Sequence, residues 1–205
     1  MSALAALGGW DPGAGVTLRS AMHHRFRAAG ATFERRGAWE VPVAVPGEAL
    51  RLERVGFADA SSLTKLELRG GHPPPAEPDR AVVTVAPGRW IVIGAAEPDL
   101  VRRALDMTGA WSLLAIAGPE APRLLRRLGP VAQVPGAGPL AGVPGRVLRR
   151  HDVIWAMTAS EFAQHLFDVC ADLCGPLDGG PVGLDAIART AGDPLLEGLP
   201  ASAVR

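Results

Sequence analysis

The chain has 205 residues, a formal net charge of zero and 48% hydrophobic content, enough to bury a sizeable core as one large domain or two small ones. Balanced charge gives it no electrostatic pull toward nucleic acid or an anionic membrane, and no stretch approaches the roughly 18 apolar residues of a membrane span. The 25 glycines and 19 prolines predict many short elements joined by tight connections.

Residues 1–19 read as a flexible leader. They lack the basic start and long apolar run of a signal peptide. Cys170 and Cys174 are too few for a disulfide framework, so a soluble, cytoplasmic chain is expected. Ser20 is placed to cap a short helix over Met22–Ala29, which Gly30 would end. Val41–Val45 reads as an extended piece bounded by two prolines. Leu66 and Leu68 alternate with Lys65, Glu67 and Arg69, the pattern of a half-buried strand.

Gly70-Gly71-His72-Pro73-Pro74-Pro75 must be a loop, because its prolines exclude a helix interior and a central strand; it is the best internal linker. Ala81–Val85 and Trp90–Ile93 flank Ala86-Pro87-Gly88 as a hairpin. Pro98 opens a helix with Leu100, Val101, Ala104 and Leu105 as its apolar set. Trp111–Ala117 is a strand buried on both faces. Gly118-Pro119 leads into a helix carrying Leu124, Leu125 and Leu128 and closed by Gly129.

After a loop over 130–144, Arg146–Arg150 and Asp152–Met157 form two more strands. Thr158 and Glu161 have capping-box spacing for a helix reaching Leu173, with Phe162, Leu166, Val169, Cys170 and Leu173 as its buried stripe. The hairpin–helix unit thus occurs twice, around 81–106 and 146–174. The fold class is α+β, with mixed or antiparallel sheets covered by helices.

Two segments carry the most specific pattern: Gly37-Ala38-Trp39-Glu40-Val41-Pro42-Val43, and Val55-Gly56-Phe57-Ala58-Asp59-Ala60-Ser61-Ser62-Leu63-Thr64-Lys65. Their order and separation resemble the opening of the glycine-cleavage T-protein family, the tetrahydrofolate-dependent aminomethyltransferases. Val182-Gly183-Leu184-Asp185-Ala186 and Ala191-Gly192-Asp193-Pro194-Leu195 extend the resemblance over roughly 20–198. It implies a folate-binding-type domain over 20–198, with candidate halves at 20–72 plus 146–198 and at 80–130. It also implies a pterin held by an aromatic face and an acid, for which Trp39 and Glu40 are the candidates.

The departures from the family pattern narrow that implication. Val82–Trp90 stands where the family carries paired aspartates and contains no acid. The Gly-Tyr-Thr-Gly-Glu motif has no counterpart over 148–160, and the chain has no tyrosine. Ala188 and Thr190 fall at the two positions of the family's Arg-x-Glu. The family's C-terminal barrel domain is not expected in this chain. The abbreviated form is similar to the small γ subunit of heterotetrameric sarcosine oxidase.

That likeness implies an auxiliary, non-catalytic subunit beside larger amine-oxidase or demethylase subunits that pass a one-carbon unit to tetrahydrofolate. Trp90, Trp111 and Trp155 would then be core or interface residues. Two alternatives stay open. One is a stand-alone, shortened tetrahydrofolate-dependent transferase using Glu40 for binding and Asp59 for catalysis. The other is a folate-fold binder of a different small molecule.

Other constellations read as structural. Asp59 and Ser61 suit a turn entering a strand. His23 and His24 point about 100° apart on a helix, which disfavours a shared metal. Cys170 and Cys174 sit one turn apart on an apolar stripe as buried thiols. Lys65 is the only lysine in an arginine-rich chain, a scarcity that composition alone accounts for.

Overall fold

The computed structural model describes residues 16–131 and 134–197; the expected leader lies outside that range up to residue 15. Leu18–Arg19 form strand β1, parallel to β3 (Trp39–Ala44), which pairs antiparallel with β2 (Thr32–Arg36). Arg36 stands opposite Trp39, so Gly37-Ala38 is a two-residue turn. Gly37 has φ +61, a conformation such turns require and glycine adopts without a Cβ clash. β2 carries Glu34, Arg35 and Arg36 and little apolar alternation, so only its partner was legible. Helix α1 (His23–Ala28) is shorter than expected, and Ser20 does not cap it. The Ser20 hydroxyl donates to Asp59 instead, and only its carbonyl meets the helix, accepting from the His23 N–H at 3.1 Å.

A six-stranded sheet forms the centre, in the order β10 (Gly136–Leu140), β11 (Val143–Arg150), β12 (Val153–Ala159), β9 (Trp111–Ala117), β4 (Gly56–Asp59), β13 (Gly180–Pro181). Its neighbours are antiparallel except β4 and β13. β9 is buried over residues 112–117, as its continuous apolar run requires of a strand covered on both faces. The loop expected over 130–144 contains β10; an edge position tolerates Pro139, whose missing N–H faces no ladder.

One face of this sheet packs under α1, α4 (Ala121–Leu128) and α5 (Ala163–Cys174). Phe26, Phe57 and Phe167 meet there edge to face, with ring centroids 5.0, 5.3 and 6.3 Å apart. Burying each such side chain stabilises the fold by about 1.5–3 kcal/mol. Thr158 does not cap α5: a 3₁₀ turn over Ser160–Phe162 intervenes, and the Thr158 hydroxyl is buried without a partner.

The other face meets a four-stranded sheet, β6 (Arg80–Ala86), β7 (Arg89–Gly94), β5 (Lys65–Arg69), β8 (Leu105–Asp106). Ala81, Val83, Ile91 and Ile93 close a shared core with Leu113, Ala115, Leu148, Trp155 and Met157. Helix α6 (Leu184–Ala191) seals it with Leu184 and Ile187, followed by the short α7 (Pro194–Glu197). On the outer side, α3 (Pro98–Arg103) covers Leu66, Leu68, Trp90 and Val92 with Leu100 and Val101. Leu105 leaves that helix for β8 and is exposed. The loop after β5 joins two strands of this one sheet. β5 is buried on both faces rather than half-buried, with Lys65 and Glu67 inside.

The segments that look alike to the T-protein family meet in space. β4 pairs with β13, and the Val182 N–H donates to the Phe57 carbonyl at 3.0 Å. A Cβ on Gly56 would stand 2.8 Å from Val182, and one on Gly183 would stand 2.0 Å from the Val43 carbonyl oxygen. Both glycines are demanded by close approach.

Candidate functional site

Every second residue of Asp59-x-Ser61-x-Leu63-x-Lys65 has a defined partner. Asp59 Oδ1 accepts the Ser61 N–H at 2.9 Å, an Asx turn, while its other oxygen takes the Ser20 hydroxyl. The Ser61 hydroxyl oxygen accepts the Leu113 N–H at 3.1 Å, tying the turn to β9. Leu63 is buried in the central core. Lys65 Nζ donates to the carbonyls of Ser61 and Leu63 at 2.8 Å each and of Thr108 at 3.3 Å. Burial pushes the Asp59 carboxyl up from its ordinary pKa, against the pull of Ser20, Ser61 and Lys65. Burial likewise brings the Lys65 ammonium down to about 7, opposed by Asp59 and Asp106.

The geometry suits the turn reading of Asp59. Its oxygens are engaged by Ser20 and Ser61, and it is 2% exposed. The lone lysine also gains a physical reason. Three convergent carbonyls match the three rotatable donors of a compact ammonium, which the planar guanidinium of arginine cannot reproduce. Composition had been the simpler explanation, and the one available signal was that this chain uses arginine everywhere else.

Trp39 and Glu40 occupy adjacent positions of β3 and therefore face opposite sides. Trp39 packs, with Val41 and Val43, against the central core. Glu40 points the other way, accepting from Arg19 Nε at 2.7 Å and lying 2.8 Å from His23 Nε2. The Arg19 guanidinium holds the Glu40 carboxyl below its usual range, and burial lowers His23. The His23 ring lies against Phe33, with centroids 4.3 Å apart. Trp39, Glu40 and Asp59 thus face different surroundings: the central core, Arg19 with His23, and Ser20 with Ser61.

Other buried charges escaped the sequence reading, Glu67 because alternation pointed it outward. Glu67 is 2% exposed and accepts from Arg89 and Arg69, which hold its carboxyl down. Asp193 is 1% exposed and accepts from Trp155 Nε1 at 3.1 Å, the Leu195 N–H at 3.0 Å and Arg150 Nε at 3.4 Å. Arg150 also donates to the Arg80 carbonyl at 3.0 Å, and Arg146 to the Val85 carbonyl at 2.7 Å. The edge strand β6, which lacks a ladder on one side, is therefore closed by guanidinium groups of β11. The signal for Asp193 was its place in Ala-Gly-Asp-Pro-Leu, beside the chain's family-like tail.

Cys170 and Cys174 are buried free thiols, Cys174 pushed up to about 12 and Cys170 raised as well by desolvation. Among the described residues no three His, Cys, Asp or Glu side chains are grouped to hold a metal ion, and no helix is long and apolar enough to cross a membrane. Clefts of about 340 and 230 Å³ open among the described residues, and neither of these is lined by Trp39, Glu40 or Asp59.

No protein-family model matches the chain, and no curated protein matches its sequence. Solved structures do. A chain of the heterotetrameric sarcosine oxidase from Corynebacterium sp. U-96, in complex with pyrrole 2-carboxylate, superimposes with a TM-score of 0.59 at 18% identity, over 80% of this chain and 97% of that one. The glycine cleavage system aminomethyltransferase T from Bartonella henselae gives 0.60 at 16% identity over 82% of this chain. The fold is that of T-protein-like folate-binding domains. The chain spans 60% of the aminomethyltransferase's length.

Proposed function

We propose that this chain is an auxiliary, non-catalytic subunit of a complex that oxidises or demethylates an N-methyl amine and passes the one-carbon unit to tetrahydrofolate. The observation that carries the reading is the arrangement of the family-like residues. The fold is shared with a chain of a heterotetrameric sarcosine oxidase and with a T-protein aminomethyltransferase. Likeness of fold does not transfer activity by itself, so the reading turns on how those residues are engaged. Glu40 is occupied by Arg19 and His23, Asp59 is engaged beneath Ser20, and Trp39 faces the core.

In this reading the subunit resembles the γ chain of sarcosine oxidase. It completes the assembly, while larger partner subunits carry the amine and folate chemistry. The competing reading, a shortened transferase acting alone, needs the lone chain to bind folate. Anaerobic calorimetric titration of the isolated chain with tetrahydrofolate separates them. The subunit reading expects no heat of binding up to about millimolar ligand, and micromolar binding at one site per chain overturns it. The positive arm is purification of the tagged full chain from its native cells, which should retain an amine-oxidising chain in fixed stoichiometry.

A further inference from the structure

The larger cleft lies at the end of β9 remote from Trp111, away from the Asp59 turn. At about 340 Å³ it falls within the range of ligand sites, roughly 300–1,000 Å³. Its apolar lining includes Leu52, Ala117 and Ile154, while Arg149, Asp152 and Thr190 bring polar groups to it. Gly118 shapes one wall. It has φ +107, and the Arg54 carbonyl oxygen stands 2.6 Å from where a Cβ would be, so the chain turns sharply out of the strand.

The charges here differ from their neighbours. Arg146 and Arg150, on the same strand as Arg149, are both spent on carbonyls of the β6 segment, and Arg150 also on Asp193. Arg149 and Asp152 have no ion pair and no side-chain hydrogen bond among the described residues. Arg149 stands opposite Ile154 on β12, and Asp152 sits in the turn made by His151 at φ +49. The Thr190 hydroxyl gives its hydrogen to the Ala186 carbonyl at 2.9 Å, which leaves its oxygen able to accept. The start of α4 adds no anion site: the Glu120 and Ala121 N–H groups are bonded to Arg54 and Gly118, and Pro119 and Pro122 have none.

We propose that this cleft binds a small zwitterion of the α-amino-acid class carrying an apolar side chain. Arg149 takes the carboxylate and Asp152 the ammonium, with Thr190 as a further acceptor, while the side chain lies on the apolar floor. A ligand with only one of these charges leaves the other group unpaired, so binding depends on both. This site goes beyond the folate-linked reading and stands or falls separately from it.

The test is calorimetric titration of the full chain with L-leucine, with isoamylamine (no carboxylate) and with N-acetyl-L-leucine (no ammonium). Saturable binding of leucine at one site is expected, with each analogue about tenfold weaker or worse. Asp152→Asn should weaken leucine about tenfold and leave N-acetyl-L-leucine unchanged, and Arg149→Gln should weaken leucine while sparing isoamylamine. Circular dichroism of these two surface variants checks that the fold is intact. Absence of saturation at about 20 mM leucine overturns the proposal, as does leucine binding that neither variant changes.

Discussion

The two segments that carry the family-like pattern have opposite fates in the structure. The Trp39-Glu40 hairpin leaves its acid partly exposed, shared by Arg19, 55% exposed, and the buried ring of His23. The Asp59–Lys65 turn puts its acid and its base inside, each bound to groups of the chain itself. Both read as candidate ligand sites by residue type. What separates them is desolvation. A charge at the surface is interchangeable with water, whereas a buried charge persists only if hydrogen bonds replace its hydration. The buried turn is therefore a fastening between β4, β5, β9 and the 106–108 segment, and the exposed pair is a local electrostatic contact.

The largest expected effect breaks the buried side of that contrast. Lys65→Ala leaves three carbonyls without a donor, costing about 3 kcal/mol or more and lowering Tm by roughly 6–12 °C in a chain of this size. Chemical denaturation at neutral pH measures it. A loss no larger than that of an exposed residue would mean that the three carbonyls find other donors.

A second expectation sharpens the contrast through pH. Burial brings Lys65 from 10.5 to about 7, so between pH 7 and 9 the unfolded chain holds a proton that the folded chain has released. Raising the pH across this window then favours the folded state, by up to about 1.4 kcal/mol per unit. Above pH 9 the buried thiols act in the opposite sense, because Cys170 and Cys174 keep their protons longer in the folded state. Denaturation midpoints of the wild type should rise from pH 7 to 9, and those of Lys65→Met should stay flat. A flat wild-type profile would show that the carbonyls keep the ammonium charged.

The smallest effect belongs to the exposed side. Glu40→Gln removes a carboxylate shared by Arg19 and His23 while keeping its shape, and the denaturation midpoint at pH 7 should stay within error of the wild type. A cooperative loss of stability comparable to that of Lys65→Ala would make Glu40 as structural as Lys65. Folate binding that the substitution abolishes would restore Glu40 as a ligand residue.

Local order along the chain was largely determined by the sequence. The β6–β7 and β11–β12 hairpins, the buried strand β9, the helices after Pro98 and Gly118, and the α+β class follow from periodicity, glycine and proline. These signals live within a few residues of one another. The similarity to T-protein-like folds was legible too, although Gly56 and Gly183 answer to close approaches between segments far apart in the chain.

Tertiary structure alone decided where the charges went. Alternation sent Lys65 and Glu67 outward, yet the second face of β5 is covered by the six-stranded sheet, and both are buried. The Ser20 hydroxyl was free to cap a helix until β4 brought Asp59 beside it. Trp39 and Glu40 were one motif in sequence and two faces in space, because adjacent residues of a strand point apart. Whether a polar group is solvated, paired or buried depends on which distant element covers it, and no local pattern encodes that neighbour.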